Sequence, residues 1–286
     1  MEPLNEEKNN NRTKFKKTKF ILASIVIIAS LITILGELDW LFADDTNSEN
    51  GECNVAHITL HGDLISYITP LDSALSEKGD QSTEDETASE NIVRSIEQAE
   101  KNEEIKAILV EVDSYGGYPV PGEEIAIAIQ NAKKPTVALI RAGGVSAAYM
   151  AISGADKIFA SRFSDVGGIG VTMSYLDHVK HNTKEGLTYI SLSSGKFKDT
   201  GDPNKSLSQE EKNLLLRDVN ILHKNFVKMV AENRNLDIEK VEKLADGSTM
   251  LGEMALQNGL IDQLGGMSEA KEYLKEKMGT GVKVCW

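Results

Sequence analysis

From Val55 to Leu64 the chain reads VAHITLHGDL, apolar and polar positions in alternation with several β-branched residues. That period of two predicts a strand with one face on a core. In IVRSIEQAEKN (92–102) the period lengthens, and Ile92, Val93, Ile96 and Ala99 fall on one side of a helix. IKAILVEVDSYGG (105–117) carries an unbroken apolar run into a glycine turn, the pattern of a strand buried on both faces. EEIAIAIQNA (123–132) predicts a helix and PTVALIRAGG (135–144) a second buried strand. An alanine-rich helix is expected from about Ser146, then short strands at DKIFAS (156–161) and GIGVTMSY (168–175). Strands and helices in turn predict an α/β domain with a parallel sheet and right-handed crossovers.

The last third is helical. Ser208 and Glu211 have the spacing of a capping box, and Leu215, Val219, Leu222, Phe226 and Met229 follow as one apolar stripe. This predicts a core-facing helix that is also available to a subunit contact. Shorter helices are expected near 238–245 and 252–258, and a last one from Ser268 to Met278. SEKGDQSTEDETASE (76–90) reads as a solvated acidic loop. No domain break follows residue 53, and no internal repeat is apparent.

One segment departs from these patterns. FILASIVIIASLITILG runs 17 residues, Phe20 to Gly36, without a charge, and Leu38, Trp40, Leu41 and Phe42 extend it. A membrane anchor over 20–42 is expected. A cleaved signal peptide would end at a small-x-small site, and Leu-Phe-Ala at 41–43 lacks the first small residue. The basic tail, residues 1–19, should stay in the cytoplasm. A linker (43–53) and the domain (54–286) should then lie outside the cell membrane. The net charge is −13, but residues 1–19 carry +3 and the remainder −16. So acidic a domain argues against nucleic acid as a partner. Cys53 and Cys285 suit an oxidising compartment, where a disulfide and two free thiols both stay open. No spacing resembles a metal site, and no cofactor is expected.

Three glycine turns follow strands: SYGG (114–117), AGGVS (142–146) and VGGIGV (166–171). Glycine lets backbone N–H groups face a ligand at strand ends, where parallel sheets bind them. GGVSAAYMA (143–151) sets the Ser146 hydroxyl among small residues, as a helix-packing serine or as a nucleophile.

VDSYGG, RAGGVSAAYMAISGADKIFAS, GGIGV, SGKFKDTGDP and ADGSTMLGEMALQNGLIDQLGG, in this order and spacing, carry a resemblance from about Ile58 to Gly265. The chain resembles the signal peptide peptidase A family, the S49 serine peptidases of the Clp protease/crotonase fold. The resemblance implies Ser146 as nucleophile, Lys198 as general base, and the N–H groups of Gly117 and Ala147 as the oxyanion site. Lys196 and Lys198 share one face of an extended chain, so spacing alone chooses neither. Asp199 would point to the opposite face, and Phe197 would help to exclude water. Two departures stand out. The family's SPGG is SYGG here, which should loosen the turn. The serine that steadies the lysine is Gly168 here, which leaves Ser164, Thr172 or water for that task. Long members carry two copies, with lysine and serine in different ones. A single copy implies a homo-oligomeric ring whose dyads are shared between subunits.

A histidine base is the rival mechanism, but none of His57, His61, His178, His181 and His223 has a glycine turn or an evident carboxylate beside it. The expected function is a membrane-anchored serine endopeptidase acting on short apolar peptides such as cleaved signal peptides. The alternatives are a catalytically inactive peptidase-like membrane scaffold and an acyl-CoA enzyme of the same fold. The anchor and the acidic surface argue against the latter.

Overall fold

A computed structural model describes residues 53–68 and 85–285. The expected basic tail, the anchor at 20–42, most of the linker and residues 76–84 of the acidic loop lie outside the described residues. Among the described residues, no helix is long and apolar enough to cross a membrane.

β1 (Val55–Ile65), β3 (Ala107–Gly117) and β4 (Thr136–Val145) form the centre of one sheet. β2 (Glu86–Ala88) lies outside β1, while β5 (Lys157–Ala160) and then β8 (Gln263–Leu264) lie beyond β4. β6 (Asp165–Gly167) pairs with β4, β7 (Thr249–Leu251) with β6, and β9 (Val284–Cys285) with β1. All these pairings are parallel except that of β6 with β7. The end of the acidic loop is thus an edge strand, followed directly by α1 (Ser89–Lys101).

The apolar runs of β3 and β4 follow from burial on both faces. Ile108, Val110 and Val112 join the larger core with Ile92 and Ile96 of α1 and Ile125 and Ile129 of α2 (Pro119–Asn131). Leu109, Val137, Leu139 and Phe159 turn to the other face, under Ala270 and Leu274 of α8 (Met267–Met278). β4 changes partner along its length. Val137–Ile140 pair with β5, and Gly143–Val145 with β6. Between them the chain turns out through 161–164, where the Ser164 hydroxyl accepts from the Ser161 N–H and donates to the Arg141 carbonyl. The switch brings β6 alongside the GGVS end of β4.

The strand expected over 168–175 does not form. Gly167 and Gly168, at φ 92° and 58°, turn the chain out of the sheet. An exposed arm then runs to the start of α5 (Gln209–Arg234), interrupted by α4 (Val179–Lys184) beside His178. The capping box of α5 forms: Ser208 Oγ accepts from the Glu211 N–H at 3.2 Å, and the Glu211 carboxylate accepts from the Ser208 N–H at 2.9 Å. Its stripe, however, is core only in the second half. Phe226, Val227, Val230 and Ala231 are buried, whereas Leu215, Val219 and Leu222 stay half-buried, since among the described residues no element packs over the first half. α6 (Ile238–Leu244) and α7 (Gly252–Asn258) follow as expected. A disulfide joins Cys53 to Cys285, with Cα atoms 5.3 Å apart, where β9 meets the start of β1.

Candidate active site

Ser146 stands between β4 and α3 (Ala147–Ile152), and the sharp turn holds it at φ 55°, ψ −126°. Among the described non-glycine residues only Asn235 shares a positive φ, and it has the left-handed helical geometry of a helix end. The Ser146 conformation is one that L-residues avoid, at a cost of about 1–3 kcal/mol. Two hydrogen bonds maintain it. The Ser146 N–H donates to the Gly167 carbonyl at 2.8 Å, and the Ser146 carbonyl accepts from the Met150 N–H at 2.9 Å.

Space for the hydroxyl comes from β3. A Cβ on Gly116 would lie 2.8 Å from Ser146 Cβ and 3.2 Å from its Oγ. Sequence reasoning singled out Gly117 and missed Gly116. Gly117 lies instead against Leu64 of β1, its register partner. The Leu64 carbonyl accepts from the Tyr118 N–H at 3.0 Å. In a parallel ladder such bonds belong to the flanking residues, so the N–H of Gly117 turns away from β1. The Ala147 N–H belongs to the first turn of α3, where no intrahelical acceptor exists. Its nitrogen lies 3.1 Å from the point a Gly116 Cβ would occupy. The structure therefore brings Ser146, Gly116 and Ala147 together, with Gly117 next along β3 against Leu64.

Ser114 braces the SYGG turn. Ser114 is buried, donates from Oγ to the Gly62 carbonyl at 2.6 Å, and accepts from the Gly116 N–H at 3.1 Å. A serine bonding two residues ahead was the signal that could have revealed this brace. Tyr115, in the place of the proline, lies across Gly143, and its hydroxyl donates to Asp165 at 3.5 Å. Gly168 has a local cause as well. At φ 58°, a Cβ there would come within 2.4 Å of Val145 Cγ1, so a serine does not fit. Ser164 is committed to Ser161 and Arg141, and Thr172 is exposed on the arm.

Lys198 is exposed in a run of turns on the arm, its N–H donating to the Gly195 carbonyl at 3.1 Å. Among the described residues its ammonium has no side-chain partner, and no hydrogen bond joins it to Ser146. Lys196 differs: its Nζ lies 2.5 Å from Glu210 and 5.3 Å from the centre of the Phe197 ring. Asp199 accepts from Ser191 Oγ at 2.6 Å and pairs with Lys205 at 3.1 Å. Those two donors hold its carboxyl below the usual carboxylate range. Lys205 also meets Glu211, and with the Ser208 bonds it lowers that carboxyl to about 2.

Two histidines have carboxylate partners that the sequence did not reveal. His57 lies 3.3 Å from Glu111, and His61 pairs with Asp85. Neither pair includes Ser146. His223 bonds the Ala245 carbonyl at 2.8 Å, and His178 and His181 are exposed.

The sequence model of Peptidase family S49 matches residues 128–281. A Methanocaldococcus jannaschii protein assigned as a protease is 34% identical over 186 residues, 64% of this chain and 60% of its own. An Enterococcus faecium protein assigned as signal peptide peptidase SppA is 33% identical over 191 residues, 66% and 56% of the two chains. The chain thus spans about three-fifths of the length of these relatives. Among solved structures, a ClpP1 mutant from Listeria monocytogenes superposes with a TM-score of 0.47 at 12% identity, over 74% of this chain and 92% of that one.

Proposed function

Because the chain belongs to Peptidase family S49, we propose that it is a membrane-anchored serine endopeptidase in which Ser146 is the nucleophile and Lys198 the general base. The observation that carries this reading is the strained backbone of Ser146, held by Gly167 and cleared by Gly116. Strain of this kind persists where the surroundings enforce it, and it is characteristic of catalytic turns. In the proposed step, neutral Lys198 takes the Ser146 proton as Oγ attacks the scissile carbonyl. The N–H groups of Gly117 and Ala147 receive the oxyanion. The protonated lysine then gives its proton to the leaving amine, and water releases the acyl group from Ser146.

Lysine is a base only when neutral. Bringing its free pKa of ~10.4 near 7 requires destabilising the ammonium by ~4–5 kcal/mol. Within one chain Lys198 is exposed. Its arm presents Leu176, Leu187, Ile190 and Leu192 to solvent, and the first half of α5 is uncovered. Both features support assembly into a homo-oligomer, in which a second copy buries the arm and Lys198 reaches the neighbour's Ser146. The Cys53–Cys285 disulfide supports an extracytoplasmic domain, since such bonds persist in oxidising compartments. Short apolar peptides such as cleaved signal peptides are the proposed substrates, bound as added strands beside the glycine turns.

The test is labelling of the full-length protein by a fluorophosphonate between about pH 6 and 10. Wild type should label increasingly as pH rises, and Ser146→Ala and Lys198→Ala should lose roughly 10³-fold or more. Gly168, which excludes the usual lysine-steadying serine, favours a second reading as a peptidase-like scaffold. Absence of labelling from an assembled wild type would select it.

A further inference from the structure

Lys198 is followed directly by a carboxylate, and a carboxylate free to approach the ammonium would keep it charged at the pH where a base is needed. The arm deals with this locally. Asp199 is half-buried and turned toward Lys205 at 3.1 Å, with Ser191 Oγ at 2.6 Å and the Tyr189 hydroxyl at 3.4 Å on the same carboxylate. Lys205 in turn reaches Glu211 in the first turn of α5, whose carboxylate also accepts from the Ser208 N–H and Oγ. Three further charges here are committed too. Glu210 pairs with Lys196, and Asp202 accepts from the N–H and side chain of Asn204.

We propose that Lys205 is a positioning residue for the base: it holds the Asp199 carboxylate in the arm, so that this charge does not keep Lys198 protonated. The inference rests on Lys198 being the base. Because Asp199, Lys205 and Ser191 lie on one arm, the compensation travels with Lys198 into any assembly. Without Lys205, Asp199 loses its cation, Lys196 remains occupied by Glu210, and Lys198 is the adjacent ammonium left to pair.

Lys205 also serves buried Glu211, so a lone Lys205→Gln could unfold the junction. The comparison is therefore made in the full-length Glu211→Gln protein, whose carboxamide oxygen keeps an acceptor toward Ser208. Two readouts are taken against pH: Ser146 labelling by a fluorophosphonate, and acetylation of the Lys198 amine followed by peptide mass spectrometry. Adding Lys205→Gln should move both midpoints to higher pH by about one unit, the scale of one nearby opposite charge. Lys205→Arg should leave them in place. Adding Asp199→Asn to the Lys205→Gln protein should bring them back. A loss of labelling amplitude with unmoved midpoints, or a shift that Asp199→Asn fails to reverse, overturns the proposal and leaves Lys205 a structural residue only. If the wild type labels without needing Lys198, the dyad itself is wrong. The Lys198 acetylation midpoints still decide whether Lys205 governs its charge.

Discussion

Around Ser146 the glycines have separate tasks, and substitution should tell them apart. Gly116 clears the hydroxyl, so Gly116→Ala drives a Cβ to 2.8 Å from Ser146 Cβ and displaces the proposed nucleophile. Labelling should fall by about a hundredfold, the scale of a displacement near 1 Å. Gly168 serves the fold. Gly168→Ser meets Val145 at 2.4 Å from a left-handed backbone, and denaturant unfolding should show a loss of about 1–3 kcal/mol. A gain of labelling without that loss would show that the turn can reopen for a serine. GGVSAAYM and the glycine turns were legible from small residues alone. The strain at Ser146 was not, because φ and ψ there depend on β4 exchanging β5 for β6. Nor could spacing separate Lys196 from Lys198. The partner that distinguishes them, Glu210, sits in another element.

The junction of the arm with α5 depends on Ser208, Glu211 and Lys205. Ser208→Ala removes a cap and should lower stability by about 1 kcal/mol in a denaturant titration. Acid should act at the same place. Glu211 is ionised more readily in the fold than in the unfolded chain, its carboxyl lying at about 2 instead of the ordinary 4.5. Its contribution is therefore complete above 4.5 and is lost as pH falls toward 2. Amide exchange in the first turn of α5 should accelerate across that interval relative to the second half of the helix, and Glu211→Gln should remove the difference. The elements were well foretold where periodicity and burial agree, as in β1, β3, β4 and α1. They were misread where they conflict: GIGVTMSY alternates like a strand, yet Gly167 and Gly168 turn the chain away from β4, and Gly168 and Ile169 bond to Ser248 and Gly247 instead. The α5 stripe was read as core-facing and also open to a subunit contact, because a sequence shows which face is apolar but not how far a neighbour extends over it.

For the molecule as a whole, the proposed sharing of the dyad makes activity depend on association through the exposed apolar arm and the half-buried first half of α5. Labelling should fall on dilution in step with loss of the oligomer, measured by analytical ultracentrifugation, and a labelled monomer would refute dyad sharing. Reduction of the disulfide, or Cys285→Ser, should lower unfolding free energy by about 2–5 kcal/mol, since the bridge closes a separation of 232 residues. No local pattern foretold that bridge, which exists because β9 returns to the first residues of β1. The chain from Cys53 to Cys285 is in consequence a covalent circle. A single scission within it, on the exposed arm for instance, yields a circularly permuted molecule with new ends at the cut, not two fragments that separate. If the proposed peptidase works among copies of itself, a stray nick would then leave every strand still attached.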